Sequence, residues 1–366
     1  MSDTMTEAKR VESSGKERYS SLNGLRTLAC VGIVAMHVNA NVDIHPTPNV
    51  LVDVISFAGN FVLMFMMVSA FSMCCGYFER IQNGNISMDA FYKKRYTRIL
   101  PFFLLLVIID VIKTFASEGF SWTDILIAEL WESFADITLL FGFIPNHNIE
   151  VVGVSWFLGV IFLFYLLFPF FTFSLANKKR AWLAFAIVLG LYFSVRYYFN
   201  PIKESSFDNT SLIHDLPYFM LGGLLFLYRK AIVKIMSDKA PRMVFRFVVL
   251  AYTAWFFLFS EQRFELANLI LYALWLIYAI CESVGVRRTT FLNNKMMTFF
   301  SGISMEVYLC HMMIFRVVEK IHLEKMLSNV DLFYYSSFIL TLVGAIAFSW
   351  VWKKWMEPKV LSVIER

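Results

Sequence analysis

The sequence predicts an all-helical membrane protein: a polytopic bundle of about ten transmembrane helices with both termini cytoplasmic. Three observations carry the prediction. The chain is 58% hydrophobic and 17% aromatic, with 39 Phe among its 366 residues. Apolar stretches of about 20 residues, long enough to cross a hydrocarbon core, recur from end to end. The basic residues, finally, sort into alternate connecting segments. Helices in lipid are apolar on all sides, so length and punctuation define the elements better than periodicity does.

Segment 1–21 is polar and charged, with no apolar core and no small-residue cleavage site. It reads as a cytoplasmic tail and not as a signal peptide. A transmembrane domain is expected over 22–352 and a second cytoplasmic tail over 353–366. Its spans are expected at 22–41, 57–78, 98–116, 153–174, 181–198, 215–229, 243–260, 264–284, 297–318 and 333–352. The sixth is the shortest and is expected to extend toward Ile213, to tilt or to be irregular. One long outer segment, 119–152, separates the third span from the fourth. There Asp124, Glu129, Glu132 and Asp136 share one broad side of a helix, while Ile125, Leu126, Leu130, Trp131 and Ile137 lie mostly on the other. That pattern suits a helix lying at the outer interface or re-entering the protein. In the third span, Asp110 and Lys113 are one turn apart and are expected to satisfy each other.

Charge placement checks the count. With a cytoplasmic N-terminus and alternating spans, and with residues at a span's end counted with the segment they adjoin, 25 of the 33 Lys and Arg fall in inner segments and 6 in outer ones, leaving Arg26 and Lys113 inside spans. This is the positive-inside bias, and one span more or fewer would scramble it. The net charge of +5 therefore belongs to the inner membrane face. The basic loops have no fold to present them to bases, so no nucleic-acid partner is expected. Cys30, Cys74, Cys75, Cys281 and Cys310 all fall inside spans, without metal-ligand spacing. They read as free buried thiols, and no metal site is expected.

The first span carries the strongest functional signal. Arg26 and His37 are eleven residues apart, which returns them to nearly the same face and separates them by about 16 Å along the axis. One stripe thus holds an arginine near one membrane surface and a histidine toward the other. Ionisable groups at such depth are costly and mark a functional site by default.

Five motifs then follow in order. They are Leu22-Asn-Gly-Leu-Arg26 with His37; Val68-Ser-Ala-Phe71 followed by Arg95-Tyr-Thr-Arg98-Ile-Leu-Pro101; Ser155-Trp156-Phe-Leu running on to Phe164-Tyr-Leu-Leu-Phe-Pro169; Leu216-Pro-Tyr-Phe-Met-Leu-Gly222; and Ile303-Ser-Met-Glu-Val-Tyr308-Leu-Cys-His311. Together they resemble the acyltransferase-3 family of integral membrane O-acyltransferases along nearly the whole chain. Departures from that pattern are Ala70 where many relatives carry Gly, and Ile161 and Phe162 where many carry Glu. The second-span motif also lacks an acidic residue.

The resemblance implies a membrane enzyme that acylates hydroxyl groups, with acyl-coenzyme A (most simply acetyl-coenzyme A) as a cytoplasmic donor substrate. It implies a cell-surface or lipid-linked glycan as acceptor, in the plasma membrane of a bacterium. Acyl transfer to a hydroxyl needs a base for the alcohol proton or a nucleophile that holds the acyl group in between. A neutral imidazole suits either role, and His37 is the candidate. His311 lies at similar depth in its own span and is a candidate second partner, with Tyr308 one turn earlier on the same face. Glu306, near mid-membrane, is expected to pair with Arg26 or another cation, or to serve as a structural hydrogen-bonding group. Arg95 and Arg98 present both guanidinium forks on one helical face, as phosphate recognition requires. The alternative is headgroup anchoring, which accounts well for Lys93 and Lys94. Arg26 is a candidate to hold the donor, to orient His37 or to neutralise Glu306. Ser155 and Trp156 are candidates for the acceptor mouth, though an interfacial Trp also suits the aromatic belt. The rival class is a membrane carrier using the same stripe as a path to export a small metabolite or modified glycan. It lacks its usual sign, a pair of Gly/Pro-broken helices in corresponding halves. A non-catalytic scaffold would not need Arg26, His37 and the two arginines together.

Overall fold

The computed structural model describes residues 19–42, 45–143, 153–199, 211–259, 265–283 and 290–364. Among these the chain is helical throughout, without strands. The elements are α1 (Leu22–Asn41), α2 (Val50–Phe57), α3 (Phe61–Gln82), α4 (Met88–Ser117), α5 (Asp124–Thr138), α6 (Trp156–Leu175), α7 (Lys178–Phe193), α8 (Leu212–Ile235), α9 (Lys239–Leu258), α10 (Glu265–Ser283), α11 (Lys295–Glu319), α12 (Leu323–Met326), α13 (Val330–Val351) and α14 (Glu357–Ile364). Side chains of the local sequence fix where many of them start. Asn49, Ser87, Thr123, Asn177, Ser211, Asn294 and Asn329 each cap an otherwise unsatisfied backbone N–H at a helix N-terminus.

Among the described residues nine helical runs are long and apolar enough to cross a membrane. The expected first span, α1, is not among them, because Asn23, Arg26, His37, Asn39 and Asn41 lower its hydropathy. It is nonetheless 20 residues long, about 30 Å of helix. It also occupies the middle of the bundle, packed against α3, α10, α11 and α13. Neighbouring helices, and not lipid, receive its polar groups. The expected second span has grown at its front: α2, a 3₁₀ turn over Ala58–Asn60 and α3 run on as one helical stretch. At that turn the Tyr272 hydroxyl donates to the Asn60 carbonyl at 2.9 Å.

The sixth span takes the expected extension toward Ile213 and also continues beyond residue 229, to Ile235. It runs from Leu212 and is capped by Ser211. The expected tail after residue 352 continues as helix: a π-helical turn over Trp352–Met356 leads into α14, which packs on α4. α5 has the expected amphipathic character. Ile125, Trp131 and Phe134 are exposed, while Ser133 and Asp136 are buried. α7 and α9 stand at the periphery, and large apolar side chains such as Leu183 and Phe247 face outward from them, as lipid contact requires. The Asp110–Lys113 pair forms, at 2.5 Å. All five cysteines are free thiols.

A close helix contact joins α3 to α8. A Cβ placed on Gly222 would collide with the Met67 carbonyl oxygen and lie 3.1 Å from the Ala70 Cβ. Helices in lipid associate through such small-residue approaches. Gly222→Leu is therefore expected to push α8 off α3 and destabilise the protein by about 2 kcal/mol or more. A lowered thermal midpoint of the purified protein checks this, and an unchanged midpoint would show that the contact yields easily.

Candidate active site

α1 runs from the end of the bundle that carries most of the basic residues toward the opposite end, and α11 runs beside it in the same direction. His37 is 15 residues into α1 and His311 is 16 into α11, so parallel packing brings them level. Their ring centroids are 4.9 Å apart. His37 Nδ1 lies 3.0 Å from the Ile33 carbonyl, and His311 Nδ1 lies 2.5 Å from the Tyr308 carbonyl. A carbonyl can only accept, so each bond assigns the proton to Nδ1 and leaves the lone pair on Nε2. His311 is fully buried, and its Nε2 has no hydrogen-bond partner among the described residues. His37 is only half-buried. Of the two, His37 is the imidazole a reactant can reach.

A cavity of about 260 Å³ reaches Tyr308, whose ring centroid lies 5.9 Å from that of His311; neither histidine lines it. Arg26 from α1, and Arg95 and Arg98 from α4, line one part of it. Tyr308, one turn before His311, lines another, and Phe65, Phe157 and Ile161 supply apolar wall. The two motif arginines thus face inward and do not splay toward headgroups. Arg26 Nη2 donates to Ser72 Oγ at 2.7 Å. Arg95 Nη2 donates to the Tyr77 hydroxyl at 2.7 Å, and its guanidinium carbon lies 4.9 Å from the Tyr77 ring centroid and 5.8 Å from that of Tyr165. A planar guanidinium can both hydrogen-bond and lie against aromatic rings in this way, which an ammonium reproduces less well.

Glu306 is completely buried. Its partners are Lys353 and Arg98, with Oε1 2.9 Å from Lys353 Nζ and 3.5 Å from Arg98 Nη1. Of the pairings open to it, the fold selects cations from the π-helical turn after α13 and from α4 over Arg26. At the other end of the cavity the Tyr308 hydroxyl donates to the Val154 carbonyl at 2.9 Å. That bond ties α11 to the residues that open α6. Ser155 is buried there, with no partner for its Oγ among the described residues, and Trp156 is half-buried.

The fold thus gathers Arg26, Arg95, Arg98 and Tyr308 around one cavity, sets His37 against His311 behind Tyr308 and outside the cavity lining, and ties Tyr308 to the Val154 carbonyl beside Ser155 and Trp156. Sequence reasoning missed Ser72, Tyr77 and Tyr165, which hold the arginines, and Lys353 and Glu357, which surround Glu306. Only the last two left a trace: they stand at i and i+4, a helical ion-pair spacing, in a segment read as a tail.

The family described as the acyltransferase domain, acyltransferase-3, matches this chain over residues 19–351. The chain belongs to that family and is a multi-pass membrane acyltransferase. No curated protein and no solved structure matches it.

Proposed function

We propose that the enzyme moves an acyl group, acetyl in the simplest case, from acyl-coenzyme A to a hydroxyl of a cell-surface or lipid-linked glycan, in a bacterial plasma membrane. The observation that carries this reading is a cavity lined by three arginines that reaches Tyr308, whose ring neighbours His311 and through it His37. An anionic donor entering from the basic face meets Arg95 and Arg98, whose forks match phosphate oxygens. Its thiol-bearing arm then lies along the Arg26–His37 stripe. The acceptor enters past Ser155 and Trp156 from the opposite face.

In the transfer, His37 Nε2 takes the proton of the acceptor hydroxyl as the alcohol oxygen forms its bond to the thioester carbonyl carbon. The carbon–sulfur bond then breaks. The coenzyme A thiolate leaves and collects the proton from the imidazolium, and His37 returns to its neutral form. The Nδ1 bond to Ile33 holds the ring in the tautomer that this step needs. His311 abuts the His37 ring and limits its orientation.

The purified protein should release coenzyme A from radiolabelled acetyl-coenzyme A and pass the label to glycan in membrane extracts. Uptake of intact acetyl-coenzyme A or a sugar into vesicles, without acyl transfer, would instead mark a carrier. Orientation has its own check. In a background lacking the native cysteines, Pro48→Cys should react with an impermeant thiol reagent from outside intact cells. Asn83→Cys should react only after permeabilisation. Both positions are exposed and lie at opposite ends of α2–α3. Reversed labelling would move the donor to the other face.

A further inference from the structure

The segment after α13 places two charged side chains beside Arg98 and Glu306. The π-helical turn over Trp352–Met356 brings Lys353 against Glu306 of α11, while Glu357 begins the next helical turn. Lys353 Nζ lies 2.9 Å from Glu306 Oε1 and 2.6 Å from Glu357 Oε1. Arg98 Nη1 lies farther from the same two oxygens, at 3.5 and 3.7 Å. The two carboxylates and two cations sum to zero. The Glu306 side chain is 1% exposed and that of Lys353 22%, whereas that of Arg98 is 40% exposed and lines the cavity. Lys353 therefore makes the short contacts and Arg98 the long ones.

We propose that Lys353 is a positioning residue for the donor: by neutralising Glu306 and Glu357, it leaves the Arg98 guanidinium available to an anionic ligand. The proposal rests on the reading of the cavity as the coenzyme A site. A buried carboxylate must keep a cation close, because an uncompensated charge in a dry site is strongly unfavourable. Without Lys353, Glu306 and Glu357 have Arg98 as their nearest cation. They draw it in, and the cluster around it carries one net negative charge. A phosphate then meets repulsion where it had met a free fork. Without Glu357 instead, the cluster gains one net positive charge and Arg98 is held less tightly.

The two substitutions thus act in opposite directions on one readout. Coenzyme A binding to the purified full-length protein should weaken about tenfold in Lys353→Met. It should tighten in Glu357→Gln. In the double variant Lys353→Met/Glu357→Gln it should return to within a few-fold of the starting protein, since Arg98 then faces Glu306 alone. Thermal unfolding of each variant reports its folding. Should Lys353→Met fail to fold, the tightening in Glu357→Gln still decides the matter. A Lys353→Met protein that binds coenzyme A normally, a Glu357→Gln protein that binds more weakly, or a double variant no better than the single would overturn the proposal. Absence of coenzyme A binding by the unaltered protein is a separate result, which removes the donor assignment itself.

Discussion

His37→Ala is expected to lower acyl transfer by about three orders of magnitude, the upper part of what a positioned general base contributes. The size follows from geometry. His37 is the half-buried member of a pair whose second member is sealed, so of the two imidazoles only His37 is open to a reactant. Its Nδ1 bond to Ile33 is intrahelical, so its removal breaks no hydrogen bond between helices and loses only the ring contact with His311. Alanine is also a strong helix former, and the variant should insert and fold near normally. His311→Ala has a different signature. It opens a void in the buried core between α1 and α11, so its activity loss should come with a lowered thermal midpoint. The measurements are label transfer and thermal unfolding on the same preparations. A well-folded His37→Ala protein with near-normal transfer would remove His37 from the chemistry.

The second large effect concerns the donor. Arg95→Lys and Arg98→Lys should each weaken coenzyme A binding by about tenfold or more although the charge is kept, because an ammonium cannot reproduce a bidentate fork. Arg95→Lys has a further cost in the stacking between Tyr77 and Tyr165 and the bond to the Tyr77 hydroxyl. Lys93→Ala and Lys94→Ala should change binding little: both are exposed, and neither lines the arginine cavity. Binding isotherms on purified protein, with membrane insertion checked for each variant, separate the two cases. Equal and small effects from all four changes would return the basic cluster to simple headgroup anchoring.

Parts of the site were legible because they are local. Arg26 and His37 lie on one helix, and so do Arg95 and Arg98, so helical geometry alone predicts a shared face in each case. His311 was recognisable by depth, since residues counted from the basic end of a span measure height in the membrane. The partner of Glu306 was not legible. Arg26, Arg98 and Lys353 are all within plausible reach by depth, and only the packing of α13 and its π-helical turn against α4 and α11 selects Lys353 and Arg98. The aromatic residues that hold Arg95 were equally hidden, because Tyr77 and Tyr165 stand in segments so rich in Phe and Tyr that no single ring is distinguished.

What the sequence by itself determined is everything that depends on one helix and its height: an all-helical polytopic bundle, the segments that cross, the end that is basic, and the polar stripe of α1. In a bilayer those properties follow from length, apolarity and charge, which are read along one dimension. Lateral order was decided by the tertiary structure alone. Lipid makes every face of a helix equally apolar, so the sequence carries no periodicity to say which face meets which neighbour. Close approaches such as Gly222 on Met67 and Ala70, together with buried polar groups that must find partners, set α1 among α3, α10, α11 and α13. That arrangement is what brings His37 to His311 and turns separate polar residues into one lined cavity.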